Sequence, residues 1–185
     1  MEFEAKNLLT KQEYQLLITH FNQNKPKTQI NHYFETDDFL LKSKGAALRI
    51  RELNNQYVLT LKQPEQDGLL ETHVMITEEI KNQWLAGQIV VIPQFKNHLD
   101  KLGIIRENLK YWGNLRTDRI EIEQEQITIV LDKSFYNNTI DYELEIEANS
   151  MTIAKDKLNQ LLITHQIERK NTVNKIVRFF QTLNN

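Results

Sequence analysis

Glu2-Phe3-Glu4-Ala5-Lys6 alternates charged and apolar residues at the head of a 185-residue chain. In an extended strand successive side chains point to opposite faces. Glu2, Glu4 and Lys6 then share one face, and Phe3 and Ala5 share the other. Two carboxylates on one face can hold a divalent cation. A lysine beside them can hold the anion that such a cation neutralises. Taken alone, the pattern describes a solvent-exposed strand edge equally well, so its meaning depends on whether other segments repeat it.

They do. Alternation predicts strands over residues 1–7, 28–35, 46–53, 56–63, 69–76, 110–123, 126–133 and 140–148. Asn54-Asn55 and Tyr136-Asn137-Asn138-Thr139 read as hairpin turns, and Gln63 to Gly68 as a turn cluster. In the third predicted strand Arg49 and Arg51 oppose Leu48 and Ile50. In the fourth, Thr60 and Lys62 oppose Leu59 and Leu61. In the fifth, Glu71 and His73 oppose Leu70, Thr72 and Val74. In the sixth, Thr117, Arg119, Glu121 and Glu123 oppose Ile120 and Ile122, while Arg116 has the wrong parity for the charged face. In the seventh, Thr128 and Asp132 oppose Ile127, Ile129 and Leu131. In the eighth, Glu143, Glu145 and Glu147 oppose Tyr142, Leu144 and Ile146. Helices are predicted in the gaps. The first runs from Thr10 to about Asn24, with Thr10 and Glu13 as a capping box. The others cover 77–86, 94–102, 150–165 and 173–183.

Solvent faces usually mix uncharged polar residues with charged ones. Here they are charge-dense and segregated by sign, with bases on the third and fourth strands and acids on the eighth. In a barrel one face of every strand points inward. If helices cover the apolar exterior, the charges line the interior. A dry interior could not hold them, because desolvation costs several kcal/mol per ion. The lumen is then wet, or filled by ions and a polyanion. The predicted fold class is α+β: an eight-stranded antiparallel β-barrel, a tunnel with a charged lumen and flanking helices, as a single domain over residues 1–185.

Composition narrows the function. Lys and Arg number 23 against 25 acids, for a net charge of −2, so general nucleic-acid binding is not expected. Cysteine is absent, which excludes disulfides, thiolate zinc sites and cysteine nucleophiles and favours the cytoplasm. Glu2 and Glu4 stand where a secretory leader would carry bases. No apolar run approaches the ~20 residues of a membrane-spanning helix. The expectation is a cytoplasmic protein with no membrane partner. Neither GxxxxGK[ST] nor GxGxxG occurs, so any phosphate is bound without a glycine cradle. Monomer and homodimer both remain open.

The chain as a whole resembles the CYTH superfamily, the triphosphate tunnel metalloenzymes. The family's N-terminal ExExK is met by Glu2, Glu4 and Lys6. Its LRxR-like strand is met by Leu48-Arg49-Ile50-Arg51, and its TLK-like strand by Thr60-Leu61-Lys62. Its TxR element is met by Thr117-Asp118-Arg119, its LD element by Leu131-Asp132, and its ExE strand by residues Glu143 to Glu147. A C-terminal lysine with a nearby arginine is met by Lys175 and Arg178. The order along the chain agrees throughout.

The resemblance implies triphosphate chemistry with Mg²⁺ or Mn²⁺ inside a tunnel. Lys6, Arg49, Arg51, Lys62, Arg119 and Lys175 would bind the triphosphate. Glu2, Glu4, Asp132, Glu143, Glu145 and Glu147 would supply metal ligands, with Glu145 and Glu147 the better match to ExE and Glu143 the alternative. Glu2, Glu4, Lys6, Glu145 and Glu147 would form the catalytic set. Asn174 stands where the motif usually has serine, and Lys170 is an alternative to Lys175. The leading activity is metal-dependent hydrolysis of a small triphosphate, such as inorganic tripolyphosphate, thiamine triphosphate or a nucleotide. A class IV adenylyl cyclase and a non-catalytic triphosphate or polyphosphate binder are the competing readings. The number of carboxylates argues against the last, since anion binding alone does not need them.

Overall fold

Two asparagine pairs turn the chain where hairpins are predicted. Asn54 and Asn55 have φ of +52° and +59°, and Asn137 and Asn138 have +45° and +61°. Asparagine tolerates the left-handed region, and two such residues in succession match the twist of the strands they join. The first turn links β3 (Ala47–Leu53) to β4 (Gln56–Glu65). The second links β7 (Ile127–Tyr136) to β8 (Thr139–Ala148). The remaining strands are β1 (Phe3–Leu9), β2 (Lys27–Glu35), β5 (Gly68–Ile76) and β6 (Lys110–Gln124). The computed structural model describes residues 3–23, 25–65 and 68–183, with backbone alone at 68 and 69. Glu2 therefore lies outside the described residues.

The eight expected strands form one antiparallel sheet in the order β1-β8-β7-β6-β2-β3-β4-β5. Among the described residues no β1–β5 ladder closes that order. Helices α1 (Lys11–His20), α3 (Glu78–Leu85), α4 (Pro93–Lys101), α5 (Met151–Thr164) and α6 (Lys175–Gln181) fall where helices are predicted. The first stops short of the expected Asn24, because Asn22 takes a φ of +51°. The last begins two residues later than expected. The predicted capping box at Thr10 is present: Glu13 N–H donates to Thr10 Oγ1 at 3.2 Å, and Thr10 N–H donates to Glu13 Oε2 at 2.6 Å. Helix α2 (Leu40–Ser43) is unpredicted. At four residues it is too short to show periodicity. It is held by the buried Glu35 carboxylate, which accepts from the N–H groups of Leu41 and Lys42 at 2.9 Å. No helix among the described residues is long and apolar enough to cross a membrane.

The chain forms two compact units. The first comprises Met1–Thr28 with Arg116–Asn185, and the second Gln29–Leu115. In the first, Ala5, Leu9, Ile120, Ile129, Leu131, Leu144 and Ile146 make the apolar face. They pack against Tyr14 and Leu17 of α1 and Ala154, Leu158, Leu161 and Leu162 of α5. In the second, Phe34, Leu48, Ile50, Leu59 and Leu61 pack against Leu41, Trp84, Phe95 and Leu99. Within each unit the helices cover the apolar parity, so the charged parity occupies the other face of that unit's strands.

A small group of ionisable side chains, centred on His32, sits on the apolar side of the second unit. His32 is buried, its Nε2 3.6 Å from Glu52 Oε2 and its Nδ1 3.3 Å from the Tyr111 hydroxyl. Lys81 also approaches Glu52, at 3.5 Å. Burial holds the imidazole below its ordinary value of 6.5, and Glu52 only partly offsets this. The sign follows from linkage. Between the lowered folded value and 6.5 the unfolded chain binds the proton and the folded chain does not, so stability falls as pH drops through that window. Urea midpoints at pH 7.5 and 5.5 should show this loss. A His32→Gln variant should show a smaller difference, whereas an identical one would remove His32 as a source.

Candidate functional site

Register brings the acids of the first unit together. β1 pairs with β8 so that Glu4 faces Glu147 and Lys6 faces Glu145. β7 pairs with β8 so that Asp132 faces Glu143, and β6 with β7 so that Arg119 faces Asp132. Helix α6 adds Lys175 from its first position. The eight side chains that the sequence places in this unit's site, all but Glu2, thus form one connected cluster.

Its geometry is a lattice of ion pairs. Arg119 grips Asp132 with both ends of its fork, Nε to Oδ1 at 2.8 Å and Nη2 to Oδ2 at 2.7 Å. It also donates to Glu145 at 2.9 Å and lies 3.8 Å from Glu147. Lys175 Nζ is 2.6 Å from Asp132, 2.8 Å from Glu145 and 3.4 Å from Glu143. Lys6 Nζ is 3.0 Å from Glu4 and 3.6 Å from Glu145. Burial opposes charge on Lys6, Arg119 and Lys175, but the surrounding carboxylates prevail and all three are held above their ordinary values. Glu143 and Glu145 diverge. Burial pushes Glu143 up to about 7 against the pull of Lys175. Glu145 is buried too, yet Lys175, a hydrogen bond from Glu143, Arg119 and Lys6 hold it well below the usual carboxylate range. Glu143 is thus the member of the pair that keeps a proton longest.

Depth sorts the three β8 glutamates. The side chain of Glu143 is 0% exposed and is held by Arg178 as well as Lys175. Glu147 is 19% exposed, and Glu4 is 42% exposed. The outer acids are the ones an incoming cation meets first. All the donors are carboxylate oxygens, the hard ligands that suit Mg²⁺ or Mn²⁺, so the residues fit such an ion in kind. Among the described residues no three acidic or imidazole groups converge on one point as a metal shell. The physical reason is visible: Lys6, Arg119 and Lys175 already occupy the spaces between the carboxylates.

The second unit carries the basic face. Tyr33, Arg49, Thr60 and His73 are successive register partners across β2, β3, β4 and β5, as are Ala47, Lys62 and Glu71 across β3, β4 and β5. Arg51 Nε donates to Asn31 Oδ1 at 3.2 Å. Lys62 pairs with Glu71 at 2.5 Å, and Glu71 also lies 3.3 Å from His73. Burial opposes it, but Lys62 together with Arg49 and His73 keeps Glu71 below its ordinary value. The buried Nε of Arg49 has no hydrogen-bond partner among the described residues. A guanidinium N–H without an acceptor is available to an oxyanion.

Two sequence alternatives resolve. Lys170 is not in the cluster; its Nζ pairs with Glu13 of α1 at 3.0 Å. Arg116 keeps the outer parity and pairs with Asp118 at 2.9 Å. Three further side chains contribute. Arg178 donates to Asp141 at 2.9 Å and to Glu143, and Tyr136 donates to Asp141 at 2.5 Å. Asn7, fully buried on the apolar side of β1, donates to Glu168 O at 3.1 Å and accepts from Lys170 N–H at 2.6 Å. It ties β1 to the strap that leads from α5 to Lys175. Arg178 is the arginine beside the C-terminal lysine, but no local pattern marks its carboxylate, 35 residues away, or Asn7, which sits at a core parity. Asn7→Ala removes the side-chain partner of the part-buried Glu168 carbonyl and Lys170 N–H. It should lower stability by about 2 kcal/mol in urea denaturation and speed hydrogen exchange at the Lys170 amide. Unchanged exchange there would detach Asn7 from the strap.

The CYTH domain family matches residues 1–180, and the chain belongs to that family. A protein of Bacillus subtilis (strain 168), provisionally named triphosphatase YjbK, is 44% identical over 183 residues, covering 98% of this chain and 95% of its own. A Bacillus halodurans crystal structure provisionally named an adenylate cyclase superposes with a TM-score of 0.90 at 39% identity, with 97% of each chain covered. HpAC1 from Hippeastrum, provisionally an adenylyl cyclase and described as having a dominant triphosphatase activity, superposes at 0.82 with 25% identity, covering 98% of this chain and 96% of its own.

Proposed function

We propose that this protein hydrolyses a phosphoanhydride bond of a small triphosphate, with tripolyphosphate, thiamine triphosphate and nucleoside triphosphates as candidate substrates and Mg²⁺ or Mn²⁺ as cofactor. The observation that carries the reading is the cluster itself: Glu4, Asp132, Glu143, Glu145 and Glu147 interleaved with Lys6, Arg119 and Lys175. Structural strands rarely concentrate buried charge this way, because desolvation makes it costly. A site that takes up a polyanion and a divalent cation needs both signs close together.

Arg49, Arg51 and Lys62 hold phosphate oxygens, the arginines through planar forks that match two oxygens at once. Lys6, Arg119 and Lys175 would bind phosphate oxygens from the first unit once a metal takes up the acids that now hold them. Glu4, Glu145 and Glu147 hold the cation with Glu2, and Asp132 and Glu143 stand behind them. When bound, the cation offsets phosphate charge and lowers the pKa of an attacking water. The chain's own residues orient the phosphates and neutralise charge on the leaving oxygen, which is most of what phosphoryl transfer requires of a protein. No covalent nucleophile is called for. Absence of cysteine favours the cytoplasm as the place of action.

The names of the B. halodurans and Hippeastrum relatives support a second reading, a nucleotidyl cyclase on the same residues. One assay separates the two. The protein is incubated with tripolyphosphate, thiamine triphosphate and ATP, each with Mg²⁺ or Mn²⁺, and the products are identified. Orthophosphate release is expected. Cyclic AMP with pyrophosphate would replace the hydrolase by the cyclase, and binding without turnover would remove both.

A further inference from the structure

Helix α6 carries Lys175 at its first position, yet little within the helix fixes it there. It is seven residues long, and the Asn174 that opens it makes no side-chain cap. A helix this short does not hold itself in water. Its placement comes from the β7–β8 hairpin, at both ends.

At the entry, Arg178 is the clamp. Its Nε donates to Asp141 Oδ2 at 2.9 Å and its Nη2 to Glu143, two acids on one face of β8. Its Nη1 reaches back to Thr172 Oγ1 at 2.8 Å and Val173 O at 2.6 Å, in the strap just before the helix. Tyr136, the last residue of β7, donates to the same Asp141 oxygen at 2.5 Å. At the exit, Asn137 of the turn donates from Nδ2 to Phe179 O at 3.0 Å and to Thr182 Oγ1 at 3.1 Å. Asp141 shares the parity of Glu143, Glu145 and Glu147. Among the described residues, however, it forms an ion pair with Arg178 alone, so it serves the clamp and not the cluster.

Arg178 follows Lys175 by three residues, about one helical turn, which puts both on one side of α6. A guanidinium is planar and rigid, whereas an ammonium is a point charge on a flexible stem. Fixing the first sets the rotation of the helix that aims the second. On the reading that assigns Lys175 to the anion, we infer that Asp141, Tyr136 and Asn137 are positioning residues, acting through Arg178 and α6 to set Lys175 against the substrate's phosphates.

The probe is a triphosphate with CH₂ in place of its bridging oxygens, which cannot be hydrolysed there, given with Mg²⁺ and followed by calorimetry on the full chain. Asp141→Ala should weaken its binding about tenfold, within reach of a small displacement of a binding group. In a Lys175→Met background the same change should cost less than about twofold, because the group it positions is gone. Tyr136→Phe should show the same dependence on Lys175 at smaller size. So should Asn137→Gly, which keeps the positive φ of the turn. Either variant carries the test if Asp141→Ala does not fold. Equal losses in the two backgrounds would overturn the inference, as would a lowered urea midpoint with unchanged affinity, or no binding of the probe by the unaltered protein. Orthophosphate release from tripolyphosphate by the unaltered protein judges the hydrolase separately. Coupling without release keeps the positioning role and removes the hydrolase, and release without coupling does the reverse.

Discussion

Glu4→Gln is expected to lower metal-dependent triphosphate turnover at least about a hundredfold while leaving thermal stability almost unchanged. The two halves have separate causes. Glu4 is 42% exposed, and its partner in the structure is Lys6. An ion pair this open to solvent contributes at most ~0.5 kcal/mol to folding. The amide keeps the shape of the side chain and still accepts a hydrogen bond. What it loses is the charge on an outer oxygen donor, facing Glu147 across the β1–β8 ladder. A hard cation depends on that charge for affinity. Turnover and thermal midpoint, measured on one preparation, separate ligand loss from misfolding. Full activity with normal stability would take Glu4 out of the metal site. Glu145→Gln is a poorer test, because Glu145 also neutralises Lys175, Arg119 and Lys6, and activity and stability would fall together.

That contrast also shows which parts of the site can be read from sequence. Parity places Arg119, Asp132, Glu143, Glu145, Glu4 and Lys6 on one type of face, because alternation in a strand is geometric and leaves little choice. It places Arg49, Arg51 and Lys62 likewise. Depth is another matter. Glu143, Glu145 and Glu147 are equivalent by parity, and Arg178 of α6 distinguishes them by holding Glu143 at the buried end. Choosing Lys175 over Lys170 depends on a strap fixed by Asn7 and Glu13. These are contacts between distant positions, and no window of neighbouring residues contains both partners. The missed helix has a nearer origin. Helix α2 exists because the Glu35 carboxylate, six and seven residues upstream, accepts its N–H groups, a side-chain contact that propensity does not record.

Lys175→Met gives the other large effect, and its sign differs between two measurements. Lys175 Nζ touches Asp132, Glu143 and Glu145, and its side chain is 15% exposed. Methionine keeps much of the volume and removes the charge. Arg119, Arg178 and Lys6 then face these three carboxylates without it, and removing one partner from a buried pair costs about 3 kcal/mol. Without divalent metal the variant should therefore unfold at clearly lower urea. The same vacancy favours a competing cation. In the native cluster Mn²⁺ meets acids whose charge Lys175 already offsets, and in the variant that offset is gone. Mn²⁺ should accordingly bind more tightly to Lys175→Met than to the unaltered protein, by calorimetry, and should recover much of the lost stability by mass action. Hydrolysis should still fall, because the ammonium that would turn to the triphosphate is absent and the added metal affinity acts on the ground state as much as on the transition state. Weaker Mn²⁺ binding in the variant would mean that Lys175 supports the metal shell instead of competing with it. Unchanged stability would mean that the three carboxylates do not depend on it for their charge balance.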